Sequence, residues 1–219
     1  MSLIRADGVN FSYFGSLEPV FTDLNFTADT SWRTGLIGAN GSGKTTLFKI
    51  LCGEEKCGGK IVSNVRFVRF PFDADPYESV GEIAGRCGEA WRLARELSLL
   101  GLSKDIRYRP LCALSGGERT KVMLALLFCT DGFPLIDEPT DSLDMRGRER
   151  LAEYLRGKRG YIVASHDRVF LDRCTDHTLA LSGGGAEVVA GSYCVWKEEN
   201  EHRIAAAREE KRSLENEAE

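Results

Sequence analysis

No glutamine occurs anywhere in the 219 residues, so no site in this chain can use that amide. Long apolar runs are missing too. The longest, Val122 to Cys129, falls far short of the roughly 20 residues that span a bilayer. Met1 to Asp7 carry no apolar segment of a secretory signal. These absences point to a cytoplasmic protein that neither crosses a membrane nor leaves by a signal peptide. Charge of one sign is not in excess: 29 Lys and Arg face 33 Asp and Glu, for a net charge of -4 and a pI near 5.6. That excludes a surface that is basic all over, as in a whole-molecule nucleic-acid clamp, and leaves room for a local basic patch. The 7 cysteines are odd in number and scattered. Cys52 and Cys57, the nearest pair, have no second pair and no neighbouring histidine. They read as reduced thiols, mostly core fillers, and not as a disulfide framework or a zinc site.

What is present is 42% hydrophobic and 28% charged residues, the balance of a soluble globular protein. The length suits one substantial domain, or one domain plus a small lobe, and can bury a core without disulfides or structural metal. No internal repeat is visible. Val9 to Tyr13, Pro19 to Phe21 and Leu24 to Phe26 suggest an N-terminal β-hairpin. Thr34 to Gly38 reads as a short buried strand, and Thr45 to Cys52 as an amphipathic helix. Lys60 to Val62 and Val65 to Phe70 look like strands. Glu78 to Leu100 reads as helical, with Trp91, Leu93, Leu97 and Leu100 as candidate buried positions. Further helices are expected over Gly116 to Phe128, Arg148 to Leu155 and Asp167 to Cys174. Strands are expected at Phe133 to Ile136 and Tyr161 to Ala164, with a terminal hairpin of Thr178 to Leu181 and Ala186 to Val189 around Gly183 to Gly185. Strands alternating with helices predict an α/β fold with a partly parallel sheet. Residues 197 to 219 differ, with 8 acidic and 5 basic residues and no Gly or Pro. Glu199 with Arg203 and Lys211 with Glu215 are i,i+4 pairs that favour helix. Two readings stand here: a solvated terminal helix, or a linker leading onward.

Residues Gly38, Ala39, Asn40, Gly41, Ser42, Gly43, Lys44 and Thr45 fit G-x-x-x-x-G-K-[ST], between an expected strand and an expected helix. Glycines let backbone N–H groups converge on phosphate oxygens, and the helix adds its positive end to the same anion. Lys44 brings a charge to the β- and γ-phosphates, and the Thr45 hydroxyl suits Mg²⁺. Such a site needs a carboxylate at a strand end. Asp137 supplies it, and Glu138, directed the other way, suits the polarisation of an attacking water. Pro134 fits only near the start of that strand, because it cannot donate to a ladder. Leu114-Ser115-Gly116-Gly117-Glu118 opens an apolar helix, as a second anion surface or a plain cap. His166, within Ser165-His166-Asp167, follows a strand and is either structural or placed to meet a γ-phosphate.

In this order the motifs resemble those of an ATP-binding cassette (ABC) ATPase domain. The resemblance makes Gly38 to Thr45 Walker A, Leu114 to Glu118 the signature and Phe133 to Asp137 Walker B. It makes Glu138 the catalytic glutamate, Ser142 to Asp144 the D-loop and His166 the switch histidine. The ATP-binding set it implies is Tyr13, Gly38, Asn40, Gly41, Ser42, Gly43, Lys44, Thr45 and Thr46, with Mg²⁺ on Thr45 and Asp137. Tyr13 would stack on adenine, or else face the core as an ordinary strand aromatic. The implied fold is a P-loop NTPase core with a mixed, mainly parallel sheet, an N-terminal antiparallel β subdomain and a small helical lobe at about 78–114. The cassette would cover 1–196, and 197–219 would start a charged helical linker. Two cassettes of this family enclose two ATPs head to tail, so Ser115, Gly116, Gly117 and Glu118 would act on a partner's nucleotide. The partner is a second cassette in a longer chain or another copy.

Within the family the chain is most similar to the ABC-F subfamily, soluble twin-cassette proteins that act on ribosomes, several of them antibiotic-resistance factors. Gly35 to Lys44, Ser165 to Asp172 with Asp176, and Ala190 to Trp196 running into the charged helix carry that likeness. Two departures stand out. The subfamily's Asn-His-Leu-Asp is here Asp141-Ser142-Leu143-Asp144, closer to transporter cassettes. The Q-loop glutamine, expected after Val65 to Arg69, is replaced by something like Phe70-Pro71. The expectation is an ATP-hydrolysing cassette acting at the ribosome. The alternative is the ATPase subunit of a membrane transporter. A third reading, a module that binds nucleotide without hydrolysing it, is opposed by Glu138 and His166.

Overall fold

A computed structural model describes residues 2–87, 90–203 and 205. Alternating apolar residues bring the first strands together. β1 (Leu3–Phe11) buries Ile4, Ala6, Val9 and Phe11, and β2 (Phe21–Asp29) buries Phe21, Leu24, Phe26 and Ala28. The two pair antiparallel with Ile4 opposite Ala28. β4 (Gly58–Ser63) joins the other edge of β1, also antiparallel, to give a three-stranded sheet β2-β1-β4.

The larger sheet has six strands in the order β5-β6-β7-β3-β8-β9: Phe67–Phe70, Phe133–Asp137, Tyr161–Ala164, Arg33–Gly38, His177–Ser182 and Gly185–Ala190. All neighbours run parallel except the β8–β9 hairpin. Its four inner strands are buried on both faces, which is why they read as short continuous apolar runs. Leu36, Leu135, Ile162 and Leu179 enter a core shared with the small sheet and α1 (Lys44–Leu51). Ile37, Ile136, Val163 and Ala180, one residue on, enter the opposite core under α4 (Gly116–Leu127), α5 (Met145–Arg156) and α6 (Arg168–Cys174). Pro134 sits second in β6. The Phe133 N–H donates to Arg66 O on the β5 side, so Pro134 faces β7, whose pairing begins only at Leu135. Its missing donor is therefore not needed there.

The expected helical stretch from Glu78 is two helices, α2 (Val80–Cys87) and α3 (Ala90–Leu99), followed by 3-10 turns at Lys104–Tyr108 and Leu111–Ala113. Leu93, Leu97 and Leu100 are buried as expected, whereas Trp91 is 60% exposed. Two residues before Leu93 is about 200° around the helix, so Trp91 lies on the far face. Glu96 takes the inward place instead. It is buried and accepts hydrogen bonds from the Tyr154 hydroxyl at 2.5 Å and from Lys158, tying α3 to α5. Burial, reinforced by the Glu96 charge, pushes the Tyr154 pKa far up, so the hydroxyl stays a donor. Tyr154→Phe is expected to cost about 1.5–3 kcal/mol of stability, the usual worth of a hydrogen bond to a charged group, read from urea unfolding.

The cysteines depart from expectation. Among the described cysteine side chains, only Cys129 and Cys174 are buried. Cys52 and Cys57 are half-buried, and Cys112 and Cys194 are exposed. After β9, residues 193–203 are helical. Arg203 does not pair with Glu199. Its guanidinium turns back to Glu187 on β9, with Nη2 at 2.8 Å from Oε2, and the i,i+4 pair is Lys197 with Glu201 at 3.6 Å. A two-point fork on a carboxylate outweighs one exposed helical pair. The Lys211–Glu215 pair lies outside the described residues. Among the described residues no helix is long and apolar enough to cross a membrane.

Candidate active site

The carboxyl ends of the parallel strands meet at one edge of the large sheet, where open α/β sheets hold their ligands. β3 ends at Gly38 and gives way to the loop before α1. Gly43, the residue that caps α1, is left-handed at φ 93 and brings no side-chain cap. A Cβ at Gly43 would fall 2.6 Å from Val20 Cγ1 and 2.7 Å from the Phe21 ring, and one at Gly38 would fall 2.3 Å from Ser42 Oγ. The first N–H groups of α1 are thus left to an external acceptor, in the geometry that favours anions. Lys44 is buried, and its Nζ donates to Gly38 O at 3.0 Å and Ala39 O at 3.2 Å, inside the loop. Ser42 Oγ is buried without a partner. An orphaned hydroxyl, a buried ammonium and uncapped amides together fit a polyphosphate.

Beside this loop, Thr45 Oγ1 donates to Asp137 Oδ2 at 2.8 Å. Two hard oxygens at that spacing are the donor set a divalent cation takes. Glu138, next along, is left-handed at φ 45, and its N–H donates to Ala164 O at 2.9 Å. Its Oε2 accepts the His166 N–H at 3.1 Å. His166 Nε2 lies 3.2 Å from Oε1, off hydrogen-bond geometry, so that buried oxygen makes no hydrogen bond. Burial raises the Glu138 pKa, with the His166 N–H and ring opposing and the Asp141 and Asp137 charges adding to the rise. Behind the pair, Thr140 and Ser165 hydroxyls meet at 2.9 Å and fasten the two loops.

Tyr13 lies beyond the end of β1 and is 40% exposed. Its hydroxyl meets Thr46 Oγ1 at 3.0 Å, and its ring stands edge-on to Phe11 at 4.9 Å. Ser115 caps α4 in a reciprocal box with Glu118: the Ser115 hydroxyl accepts the Glu118 N–H, and Glu118 Oε2 takes the Ser115 N–H at 2.9 Å. These bonds hold the Glu118 carboxyl below its usual range. Gly117 lets the loop of Ser142 come close, since a Cβ would sit 3.3 Å from Ser142 O. Asp144 caps α5 by accepting the Gly147 N–H at 2.8 Å.

Two clefts flank the phosphate loop. One, of about 920 Å³, runs from Gly38 to Ser42 past His166 to Trp196 and Arg203 of the C-terminal helix. The other, of about 590 Å³, joins Thr45, Asp137 and Glu138 to Gly116 and Arg119 of α4, to Asp141, and to Pro71, Phe72 and Asp73 after β5. Walker A, Walker B, Glu138 and His166 are thus brought together. Of the signature, only Gly116 lines this cleft. Asp73, Arg119 and Asp141 were not singled out from the sequence for the site; Asp141 stands inside the Glu138-Pro139-Thr140-Asp141 run, where a third acidic group was the available signal.

The family model described as "ABC transporter" matches residues 21–141, more than half of the chain. The chain belongs to the ABC family of ATPase cassettes. It is 33% identical over 180 residues to the ribosome protection protein VmlR of Bacillus subtilis, covering 77% of this chain and 32% of that protein. It is 33% identical over 196 residues to the energy-dependent translational throttle protein EttA of Mycobacterium tuberculosis, covering 83% and 35%. It is 29% identical to human ATP-binding cassette sub-family F member 3, covering 87% and 28%. The cassette thus spans about a third of the curated relatives it matches. In fold it superposes on the dimeric bacterial ABC transporter cassette MJ0796 with a TM-score of 0.73 at 19% identity, covering 85% of this chain and 98% of that one. An ATP-binding subunit of an ABC transporter gives 0.74 at 22%, covering 86% and 90%. The mixed sheet and antiparallel β subdomain of the cassette are those of this family.

Proposed function

We propose that the chain is the ATP-binding and hydrolysing cassette of a soluble ABC-F protein that acts on the ribosome in the cytoplasm. In this reading residues 1–196 are the cassette and 197–219 begin a linker. Gly38, Asn40, Gly41, Ser42, Gly43 and Lys44 hold the phosphates, Thr46 closes the loop's first turn, and Tyr13 stacks on adenine. Thr45 and Asp137 hold Mg²⁺, which would neutralise charge on the β- and γ-phosphates. Glu138 takes a proton from the attacking water, and His166 orients Glu138 and the γ-phosphate. Ser115, Gly116, Gly117, Glu118 and Asp144 serve the nucleotide of a second cassette. The Thr45–Asp137 contact, with a Glu138 oxygen in the same cleft that makes no hydrogen bond, is the observation that supports the site.

The ribosome is favoured by the relatives. Proteins named for ribosome protection and for throttling translation match at 33% identity, whereas the solved structures of transporter cassettes match at 22% and 19% and share the fold alone. Antibiotic resistance by ribosome protection is the narrower form of this reading, and docking onto a membrane transporter is its rival. In a chain carrying two cassettes, ribosome co-sedimentation is expected with ATP and not with ADP. Recovery with an integral membrane protein, and none with ribosomes, would reverse the choice.

A further inference from the structure

We infer that Asp73 is a second carboxylate of the metal side of the site, acting from the segment that follows β5 on the cation or on one of its waters. The backbone register carries the first step. β5 and β6 run parallel with Phe70 level with Ile136, so the residues after Phe70 leave the sheet beside Asp137. Alternation carries the second. Phe70 is buried, and Phe72 and Ala74 pack against the same core, so the intervening Asp73 is turned outward, onto the rim that the 590 Å³ cleft shares with a neighbouring cleft of about 420 Å³ beside Arg66 and Arg69. The larger of the two holds Thr45, Asp137 and Glu138. Third, the carboxylate is free. Asp75, two residues on, accepts the Tyr77 N–H at 2.9 Å, whereas no hydrogen bond or ion pair among the described residues engages Asp73.

No glutamine exists to reach into this cleft from the loop after β5, and Phe70 and Pro71 offer no side-chain oxygen. Asp73 is the one residue of the segment 70–73 with a side chain that can ligate. A carboxylate there brings a full negative charge where an amide would bring none. Magnesium takes one or two carboxylates with phosphate oxygens and water, so Asp137 and Asp73 complete a common set. The inference rests on the reading of Thr45 and Asp137 as metal-side groups.

The test measures Mn²⁺ binding by electron paramagnetic resonance in the presence of ATPγS, so that hydrolysis plays no part. Asp73→Ala is expected to raise the Mn²⁺ concentration for half-saturation ~10-fold or more, with ATPγS binding in EDTA unchanged. Asp73→Asn should fall between it and the parent chain, because the amide keeps an oxygen and loses the charge. Asp137→Ala is the control. If it weakens Mn²⁺ while Asp73→Ala does not, Asp73 is a solvent residue and the inference fails alone. If neither variant moves Mn²⁺, the metal-side reading fails with it. A loss of ATPγS binding in EDTA for Asp73→Ala would mark the loop as structural and also overturn the proposal.

Discussion

Glu138→Gln is expected to lower ATP turnover ~10²–10⁴-fold, the range for removal of a general base, while leaving nucleotide affinity unchanged. The amide has the size of the carboxylate and can still accept the His166 N–H through its oxygen, so the loop after β6 should keep its shape. What it lacks is a basic oxygen. In the parent chain that oxygen is Oε1, buried and without a hydrogen bond, which leaves a lone pair for the proton of an incoming water. The binding groups sit elsewhere, on the loop from Gly38 to Thr45. With a competent second cassette, ATP should bind and not turn over, so the closed pair should accumulate and be visible by size-exclusion chromatography. Turnover at the parent rate would remove Glu138 from the role.

The pH dependence has a definite sign. Burial holds the Glu138 pKa above its usual value, with the neighbouring Asp141 and Asp137 charges adding to it. The base works only as carboxylate, so its working form is complete at high pH and is lost as pH falls through the raised pKa. The acid limb of turnover is therefore expected above the ordinary carboxylate range near ~4.3. In Glu138→Gln that limb should vanish from the residual rate.

Much of the fold was legible because the residues that build it are local. The strands of the large sheet are short apolar runs ended by Gly38, Asp137 and Ser165, and buried strands need little else to be seen. The order of motifs likewise follows the chain. What escaped notice depends on which face a residue takes or on what arrives from elsewhere. Hydrophobicity alone would put Trp91 inside, whereas its spacing from Leu93 sets it outside. Glu96 shares the i, i+3, i+4, i+7 face with Leu93, Leu97 and Leu100, so a carboxylate on an apolar stripe was a readable sign of a buried partner. Its partners, Tyr154 and Lys158, are about sixty residues away, and no local rule names them. Arg203 illustrates the same limit, since Glu187 becomes a neighbour only after β9 turns into the helix.

Lys44→Ala is expected to weaken nucleotide binding ~100-fold, on the order of the 1.5–3 kcal/mol that a hydrogen bond to a charged group contributes. Lys44 opens α1, yet it is buried, with its ammonium turned back onto the Gly38 and Ala39 carbonyls. A buried ammonium is costly unless paired, and two carbonyl oxygens provide dipoles but no opposite charge. A phosphate beside it supplies that charge, so binding gains both the Coulomb attraction and relief of an incompletely paired cation. Alanine removes the attraction and also frees the two carbonyls, so the loop should lose its preset curve. Lys44→Arg should not restore binding. The guanidinium is planar and forked, and it cannot occupy a position defined by a point charge between Gly38 O and Ala39 O. Titration of a fluorescent ATP analogue into the chain itself reads both variants, with urea unfolding as a check on the fold. Parent-like affinity in a folded Lys44→Ala chain would mean that the phosphates do not lie on this loop.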